Sequence, residues 1–284
     1  MLHYNTIEEF RHAMLADGIQ YHGEIIADGE LHRFHIEGDK AGTRNGAYKL
    51  HTDGWPAGWY QDHKDGGAIH KWKSGARPAE PNPFSTIDFA KKKKAREDDI
   101  ALKRELAIRE ISIIREFGEQ ATNDHPYLVR KKIRLTEPML VWRGALVVPI
   151  YNHSYKLANV QLIHPDGTKL FLKGGEIKGC FGCMKIRNKA DTTLICEGWA
   201  TGASLYEHSP HNVLIALNAG NLLSVARFIR SKRPDERIII CGDNDVSGVG
   251  QEAAIRAARA VNAEIAIPDK PGDWNDILTE GGAL

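Results

Sequence analysis

The chain has 284 residues, of which 42% are hydrophobic and 26% charged, and its formal net charge at pH 7 is +1. This composition predicts a soluble globular protein of about two domains, and the four cysteines, none before residue 180, argue against a disulfide framework. No apolar run approaches the roughly 20 residues of a membrane span, and the first residues do not resemble a signal peptide. We therefore expect a cytoplasmic protein without membrane contact, whose affinity for nucleic acid must come from local basic patches.

Residues 1–75 are predicted to form a small α+β module. The capping box Thr6-Ile7-Glu8-Glu9 predicts a helix that ends near Gly18, with an apolar face made of Ile7, Phe10, Met14 and Leu15. Short strand-like segments follow and predict hairpins. They are separated by the turn pairs Asp28-Gly29, Asp53-Gly54 and Gly66-Gly67.

Aromatic and basic residues are interleaved along this module. The aromatic residues are Phe34, Tyr48, Trp55, Trp59, Tyr60 and Trp72, and the bases are Arg33, Lys40, Arg44, Lys49, Lys71 and Lys73. A sheet that presents both kinds of side chain can bind a single strand by stacking and phosphate contacts, so the module is a candidate for template or partner binding. The alternative is that the tryptophans form the core of a small domain.

Cysteine and histidine spacing does not predict a zinc site. Eight histidines precede residue 75, but no cysteine occurs in the first 179 residues. Cys180 and Cys183 form a C-x2-C pair, whereas Cys196 and Cys241 are single residues in predicted strands. Because a structural zinc site needs a second pair at similar spacing, we expect no zinc.

Residues 76–124 are predicted to be a linker followed by a long helix. Pro78, Pro81 and Pro83 mark the linker, and helix formers continue from Ile87 toward Gln120 without Pro or Gly until Gly118. One apolar stripe is predicted to pack on the following domain; it consists of Leu102, Leu106, Ile113 and Phe117. The four lysines at 91–94 are either a solvated helix face or a nucleic-acid contact.

Residues 125–190 are predicted to be a small mixed α+β subdomain, and residues 191–284 an α/β domain with a parallel sheet. In the second region, apolar runs at 194–196, 213–217, 238–241 and 264–268 alternate with helix-period segments. Strands that alternate with helices indicate a parallel sheet with flanking helices.

Carboxylates follow the strands of this predicted sheet. Glu197 ends one apolar run, Asp243 and Asp245 end another, and Asp273 and Asp276 come after the last strand and its loop. Carboxyl ends of parallel strands share one edge, so we expect the acids to converge there. Several hard oxygen ligands in one crevice predict a site for Mg²⁺ (or Mn²⁺).

At these residues the chain resembles the TOPRIM domain shared by bacterial-type primases, type IA and type II topoisomerases and some nucleases. The resemblance lies in Glu197-Gly198, in Asp243-x-Asp245 with Gly248, and in the acidic segment 273–276. One position departs from the pattern, because Thr201 stands where replicative primases tend to carry another acid. The metal would therefore have fewer protein oxygens here.

Two earlier segments are similar to the catalytic core of DnaG-like DNA primases, most of all those of plasmids and phages. They are the segment 125–133, which contains Tyr127-Leu128 followed by bases, and the segment 147–175, which contains Lys169-Leu170-Phe171-Leu172-Lys173-Gly174-Gly175. The resemblance implies that bases here face the acids and hold template, nascent strand and nucleotide phosphates. The implied binding residues are Arg130, Lys131, Lys132, Lys169 and Lys173, with Asn218 and Asn221 positioning a nucleotide.

The resemblance implies a primase that makes short RNA primers on single-stranded DNA from ribonucleoside triphosphates, with Glu197, Asp243 and Asp245 as catalytic residues. No P-loop motif appears in the 284 residues, so a replicative helicase would be a separate partner. Two alternatives stay open: a TOPRIM nuclease that nicks DNA with the same acids, and a non-catalytic nucleic-acid-binding protein.

Overall fold

The computed structural model describes residues 2–52, 55–63, 68–75 and 83–283, with side chains other than those of residues 2–5, 83–90, 92 and 93. The chain divides into two compact units, Met1–Asp98 and Asp99–Leu284. Within the part that the structure describes, none of the helices is both long and apolar enough to span a membrane.

The first unit is one helix packed on an antiparallel sheet. Helix α1 (Leu2–Ala16) precedes four strands, β1 (His32–Phe34), β2 (Gly46–His51), β3 (Ala57–Asp62) and β4 (His70–Lys73), which pair in the order β1-β2-β3-β4. Phe10 and Met14 of α1 form a core with Tyr48, Leu50 and Tyr60. The predicted hairpins are confirmed, although the turn residues 53, 54, 66 and 67 lie outside the described residues.

Two details of the predicted helix were wrong. Helix α1 begins at Leu2, so Thr6 lies within the helix and does not cap it. Leu15 is 53% exposed, whereas Phe10 and Met14 are fully buried. Residues at spacings of three and four share a helix face, and Leu15 follows Met14 directly, about 100° further around the axis.

A long helix, α2 (Pro83–Phe117), leads from the first unit into the second. The predicted linker prolines Pro78 and Pro81 lie outside the described residues. The predicted packing stripe was wrong: Leu102, Leu106, Ile113 and Phe117 are all exposed. The helix is instead buried through Ala107, Ile111 and Ile114, which pack with Val147 and Val160. The helix carries two apolar stripes. The predicted stripe faces solvent, and the other stripe packs on the sheet.

The second unit begins with an antiparallel sheet. Its elements are β5 (Glu119–Gln120), α3 (Pro126–Lys131), β6 (Leu140–Trp142), β7 (Ala145–Tyr151), β8 (Leu157–Ile163) and β9 (Lys169–Phe171). The strands pair in chain order from β5 to β9. We expected Lys169 and Lys173 to share one face of a strand. Strand β9 ends at Phe171, so this prediction was wrong.

The predicted parallel sheet with flanking helices is confirmed. Its elements are β10 (Gly182–Cys183), β11 (Thr192–Cys196), α4 (Trp199–His208), β12 (Asn212–Ile215), a 3₁₀ turn (Ala219–Asn221), α5 (Leu222–Lys232), β13 (Arg237–Cys241), α6 (Val249–Val261), β14 (Glu264–Ala266) and α7 (Trp274–Thr279). The strand order is β10-β12-β11-β13-β14, and all neighbours are parallel except β10, an antiparallel edge strand that was not predicted.

The boundary predicted at residue 190 does not separate two cores. Leu128, Leu146 and Ile150 belong to the same buried cluster as Leu194 and Trp199. Strand β10, which comes before the boundary, pairs with β12, which comes after it. Residues 125–190 and 191–284 therefore build one compact unit.

Candidate active site

The carboxylates that follow β11 and β13, Glu197, Asp243 and Asp245, lie at one edge of the parallel sheet. We call this edge the acidic edge. The two strands are neighbours, with Cys196 and Cys241 as partners in the ladder. Glu197 follows Cys196 directly. Asp243 comes two residues after Cys241, so it lies one position further along than Glu197. The register therefore places two acids side by side, as the sequence predicted.

Asp243 is the most strongly perturbed of the acids. Its Oδ1 atom is buried and has no hydrogen-bond partner among the described residues. Burial raises the pKa of Asp243 to about 7, and the negative charges of Asp273 and Glu197 act in the same direction. The Lys169 ammonium opposes this shift of the pKa. A buried carboxylate oxygen without a donor is costly, and a cation can offset that cost.

Glu197 is held by the backbone of the neighbouring loop. Burial raises the pKa of Glu197, while Lys169 and a hydrogen bond from the backbone of Ala219 partly offset this rise. Just before that backbone group, Leu217 has a φ of +74°. This left-handed conformation is strained for a bulky residue, and strained residues cluster at functional sites. It sets the course of the loop that carries Asn218 and the Ala219 amide.

Asp245 lies in the loop before helix α6, three residues ahead of the N-cap Gly248. Its Oδ2 accepts from the backbone N–H of Gly250 at 2.9 Å, and its Oδ1 accepts from the hydroxyl of Ser247. These hydrogen bonds hold the pKa of Asp245 below its usual value. Asp245 thus holds the loop that leads into α6, and its charge also acts on the pKa values of Glu197 and Asp243.

Asn244, between the two aspartates, was missed by the sequence reasoning. Its backbone N–H and C=O both pair with Gly272, at 3.0 and 2.9 Å, and its side-chain amide donates to Pro268 O at 2.8 Å. The residue therefore fastens the Asp243-x-Asp245 loop to the loop that leads to Asp273. Its sequence signal was weak, since an Asn between two Asp reads equally well as a turn residue.

Asp273 and Asp276 are paired with a base. Asp273 caps α7 by accepting from the N–H of Asp276 at 2.9 Å. The Lys131 ammonium lies 3.1 Å from Asp273 Oδ2 and 3.1 Å from Asp276 Oδ1. The negative charge of Asp273 also raises the pKa of Asp243. Lys131, predicted to bind nucleic acid, is thus engaged with the predicted metal ligands.

The other predicted bases differ in their surroundings. Lys169 is exposed and acts on the pKa values of both Glu197 and Asp243, which places its charge at the acidic edge. Arg130 donates to Pro165 O in the β8–β9 turn and stacks over Tyr127. Lys132 and Lys173 are exposed and have no side-chain contact among those described.

The two predicted asparagines have different roles. Asn218 is exposed at the carboxyl end of β12, beside the acidic edge. Asn221 is 4% exposed, and its side chain is fully used. Its Oδ1 accepts from Gly179 N at 2.7 Å, and its Nδ2 donates to Cys180 O at 2.7 Å and Ala216 O at 2.9 Å. These contacts give Asn221 a structural role instead of the predicted one in nucleotide positioning.

The acidic edge can hold a divalent cation, although it is not a finished coordination shell. No group of three or more His, Cys, Asp or Glu side chains among the described residues is arranged as metal ligands. The donor set nevertheless fits a hard cation, because Asp243 offers a buried oxygen without a partner and Glu197 lies close enough to act on its pKa. Asp243 and Glu197 are therefore the first candidates for ligands.

Residues 192–283 match the family model of the Toprim domain. The chain contains a Toprim domain. The resemblance seen in the acidic motifs is thereby confirmed, and the Toprim domain comprises the parallel strands β11 to β14 with helices α4 to α7. Glu197, Asp243, Asp245, Asp273 and Asp276 all lie within it.

Similarity to curated proteins extends well beyond the Toprim domain. The chain is 32% identical over 257 residues to a DNA primase TraC of Escherichia coli, which covers 86% of this chain and 24% of that protein. A second DNA primase TraC of Escherichia coli is 30% identical over 280 residues, covering 92% of this chain and 19% of that protein. The chain thus spans about a quarter or less of the length of these relatives.

Solved structures of primases are also similar, at low sequence identity. The primase fragment of the bacteriophage T7 primase-helicase protein is 15% identical, with a TM-score of 0.42, over 51% of this chain and 62% of that one. The zinc-binding and RNA polymerase domains of the Aquifex aeolicus primase are 12% identical, with a TM-score of 0.39, over 98% of this chain and 82% of that one.

Proposed function

We propose that the chain is a DNA primase that synthesises short RNA primers on single-stranded DNA by metal-dependent nucleotidyl transfer, in plasmid or phage replication. The observation that carries this proposal is the acidic edge of the Toprim domain. There Asp243 presents a buried oxygen without a donor, beside Glu197 and the cationic Lys169. The similarity to DNA primase TraC over most of the chain supports a primase over other users of the same acids.

Each group at the edge has a task in such a reaction. Glu197 and Asp243, with Asp245 or Asp273, would hold Mg²⁺ or Mn²⁺. A divalent cation supplies positive charge that neutralises triphosphate oxygens and the leaving pyrophosphate. Glu197 either shares the cation or, because its pKa is raised, accepts the proton of the attacking 3′-hydroxyl. Lys169 pairs with phosphate oxygens, and Asn218 offers an exposed amide to the nucleotide.

The partners follow from the same chemistry. The template is single-stranded DNA, the substrates are ribonucleoside triphosphates, and the reaction takes place in the cytoplasm. Strand separation requires a replicative helicase, which we propose as a partner. The exposed bases Lys132 and Lys173 contact the strands by charge, and Lys131 acts by orienting Asp273 and Asp276.

Primer synthesis on unprimed DNA tests this function. Purified protein is incubated with single-stranded DNA of mixed sequence, labelled ribonucleotides and Mg²⁺ or Mn²⁺. Asp243→Asn removes the charge at the acidic edge without changing size. Asp235→Asn, an exposed position in the turn before β13, is the matched control. We expect short labelled products from the parent and from Asp235→Asn, and none from Asp243→Asn.

The same reaction on end-labelled DNA separates the alternatives. If the DNA strand is nicked in a reaction that requires Asp243, and no primer is synthesised, the protein is a nuclease and the primase proposal fails. Primers made equally well by Asp243→Asn would contradict the assignment of the catalytic edge.

A further inference from the structure

The outer face of the sheet β1 to β4 carries positive charge around an aromatic side chain. Phe34, Tyr48 and Tyr60 are buried on the inner face against α1. Side chains alternate along a strand, so their neighbours in sequence point to the other face. The outward positions next to them include Lys49 on β2, Trp59 on β3 and Lys71 on β4.

The register aligns these three side chains in one row. Lys49 is the ladder partner of Trp59, and Trp59 is the partner of Lys71. Adjacent strands are about 4.8 Å apart, so Trp59 has a lysine on the neighbouring strand to each side of it. Lys71 is exposed, Lys49 and Trp59 are half-buried, and the described residues provide no ion pair or hydrogen bond to either lysine side chain.

The next row extends the same surface. His51, Ala57 and Lys73 are partners there. The Lys73 ammonium lies 3.6 Å from the ring centroid of Trp55, which is 40% exposed and follows β2 in the chain. None of the outward positions in the four strands carries a carboxylate. Asp28 is bridged to His51 at the end of β2, and its carboxylate is engaged with His32 at 2.9 Å.

We propose that this face, defined by Lys49, Trp59, Lys71, Lys73 and Trp55, is a binding site for single-stranded nucleic acid. The three lysines neutralise successive phosphates, and the indoles stack on unpaired bases. A duplex offers the phosphates but not free base faces, so the indoles favour single strands. This site goes beyond the proposed function, because it lies in the first unit and needs neither the acidic edge nor nucleotides.

Fluorescence anisotropy of a labelled mixed-sequence single strand tests the site with the full chain, without divalent metal or nucleotides, at several salt concentrations. Lys49→Glu/Lys71→Glu reverses the two charges that flank Trp59. Arg256→Glu/Arg259→Glu makes the same charge change on two exposed residues of helix α6 and is the matched control. Lys49→Gln/Lys71→Gln provides a milder version, and thermal melts verify that each variant is folded.

We expect Lys49→Glu/Lys71→Glu to bind at least tenfold more weakly than the control pair. Its slope of log affinity against log salt concentration should be smaller by about two. Trp59→Ala should bind single strands about tenfold more weakly with an unchanged salt slope. A parent protein that does not bind single strands, a double variant that equals its control, or equal binding of duplex with no effect of Trp59→Ala would overturn the proposal.

Failure of this site and failure of the proposed function are distinguishable. Asp243→Asn should bind the single strand as the parent does while making no primers. If the parent binds through Lys49 and Lys71 but makes no primers, the primase proposal fails and the binding site stands. If primers are made and the charge reversal leaves binding unchanged, only the binding site fails.

Discussion

The ammonium group of Lys131 lies 3.1 Å from Oδ2 of Asp273. It also contacts Asp276, and the backbone carbonyl of Lys131 accepts from the buried amide of Asn275 at 2.9 Å. One residue at the end of α3 thus contacts three residues at the start of α7. Because Asp273 acts on the pKa of Asp243, this clamp sets part of the charge at the acidic edge.

Lys131→Met should destabilise the protein through loss of this clamp. The ion pairs are only partly buried, so we expect a loss of about 1 kcal/mol in the free energy of unfolding, or a Tm lower by about 2–4 °C. Lys132→Met is the control, because Lys132 is exposed and has no described side-chain contact. Thermal melts of both variants give the result, and equal Tm values would contradict the clamp.

Asn221→Ala should be among the more destabilising single changes in the Toprim domain. It would leave Gly179 N–H, Cys180 O and Ala216 O without their buried partner. We expect a loss of about 2–4 kcal/mol in the free energy of unfolding by denaturant. Asn218→Ala, at the exposed end of the same loop, should leave stability unchanged and reduce primer synthesis. A stable Asn221→Ala protein with reduced nucleotide binding would restore the role first predicted for Asn221.

The raised pKa of Asp243 predicts a pH-dependent stability without divalent metal. Between an ordinary pKa of 3.8 and the folded-state value of about 7, the folded protein keeps a proton that the unfolded chain has released. Asp243 therefore destabilises the fold increasingly as pH rises toward 7, by at most about 1.4 kcal/mol per pH unit before solvent screening.

Thermal melts of the parent and Asp243→Asn in a chelator, from pH 5.5 to 8, measure this effect. The variant should gain stability relative to the parent as pH rises to about 7, and the difference should then stay constant. Mg²⁺ added above pH 7 should raise the Tm of the parent more than that of Asp243→Asn. A difference that is independent of pH would mean that Asp243 is not buried as a charged group.

The parallel sheet was predictable because its signals are local. Buried strands appear as short apolar runs, and the acids come directly after them at Glu197 and Asp243. The helix face with Ala253, Ala254 and Ala257 also follows from spacing alone, and all three are buried.

Other features depend on partners far along the chain. The packed stripe of α2, with Ala107, Ile111 and Ile114, was missed because the helix carries a second stripe that is equally apolar, and only the surface of β7 and β8 selects between the two. The role of Asn221 was missed because three of its partners, Ile177, Gly179 and Cys180, lie more than 40 residues earlier. Lys131 likewise meets acids that lie more than 140 residues later.

The sequence also did not show which aromatic residues of the first unit are buried. Some of them lie in the core and others on the outer face of the sheet. Tyr48 is 1% exposed, whereas Trp55 is 40% exposed. Alternation along each strand separates the two sets, but only after the strand boundaries and the ladder register are known.

The central claim is that the edge of the Toprim domain built on Glu197 and Asp243 holds a divalent cation. Titration of Mn²⁺ with the full chain, followed by the electron paramagnetic resonance signal of free Mn²⁺, tests it without any need for activity. We expect saturable binding that Mg²⁺ displaces, that Asp235→Asn retains and that Asp243→Asn weakens at least tenfold. Binding of Mn²⁺ that is equally tight in Asp243→Asn would contradict it.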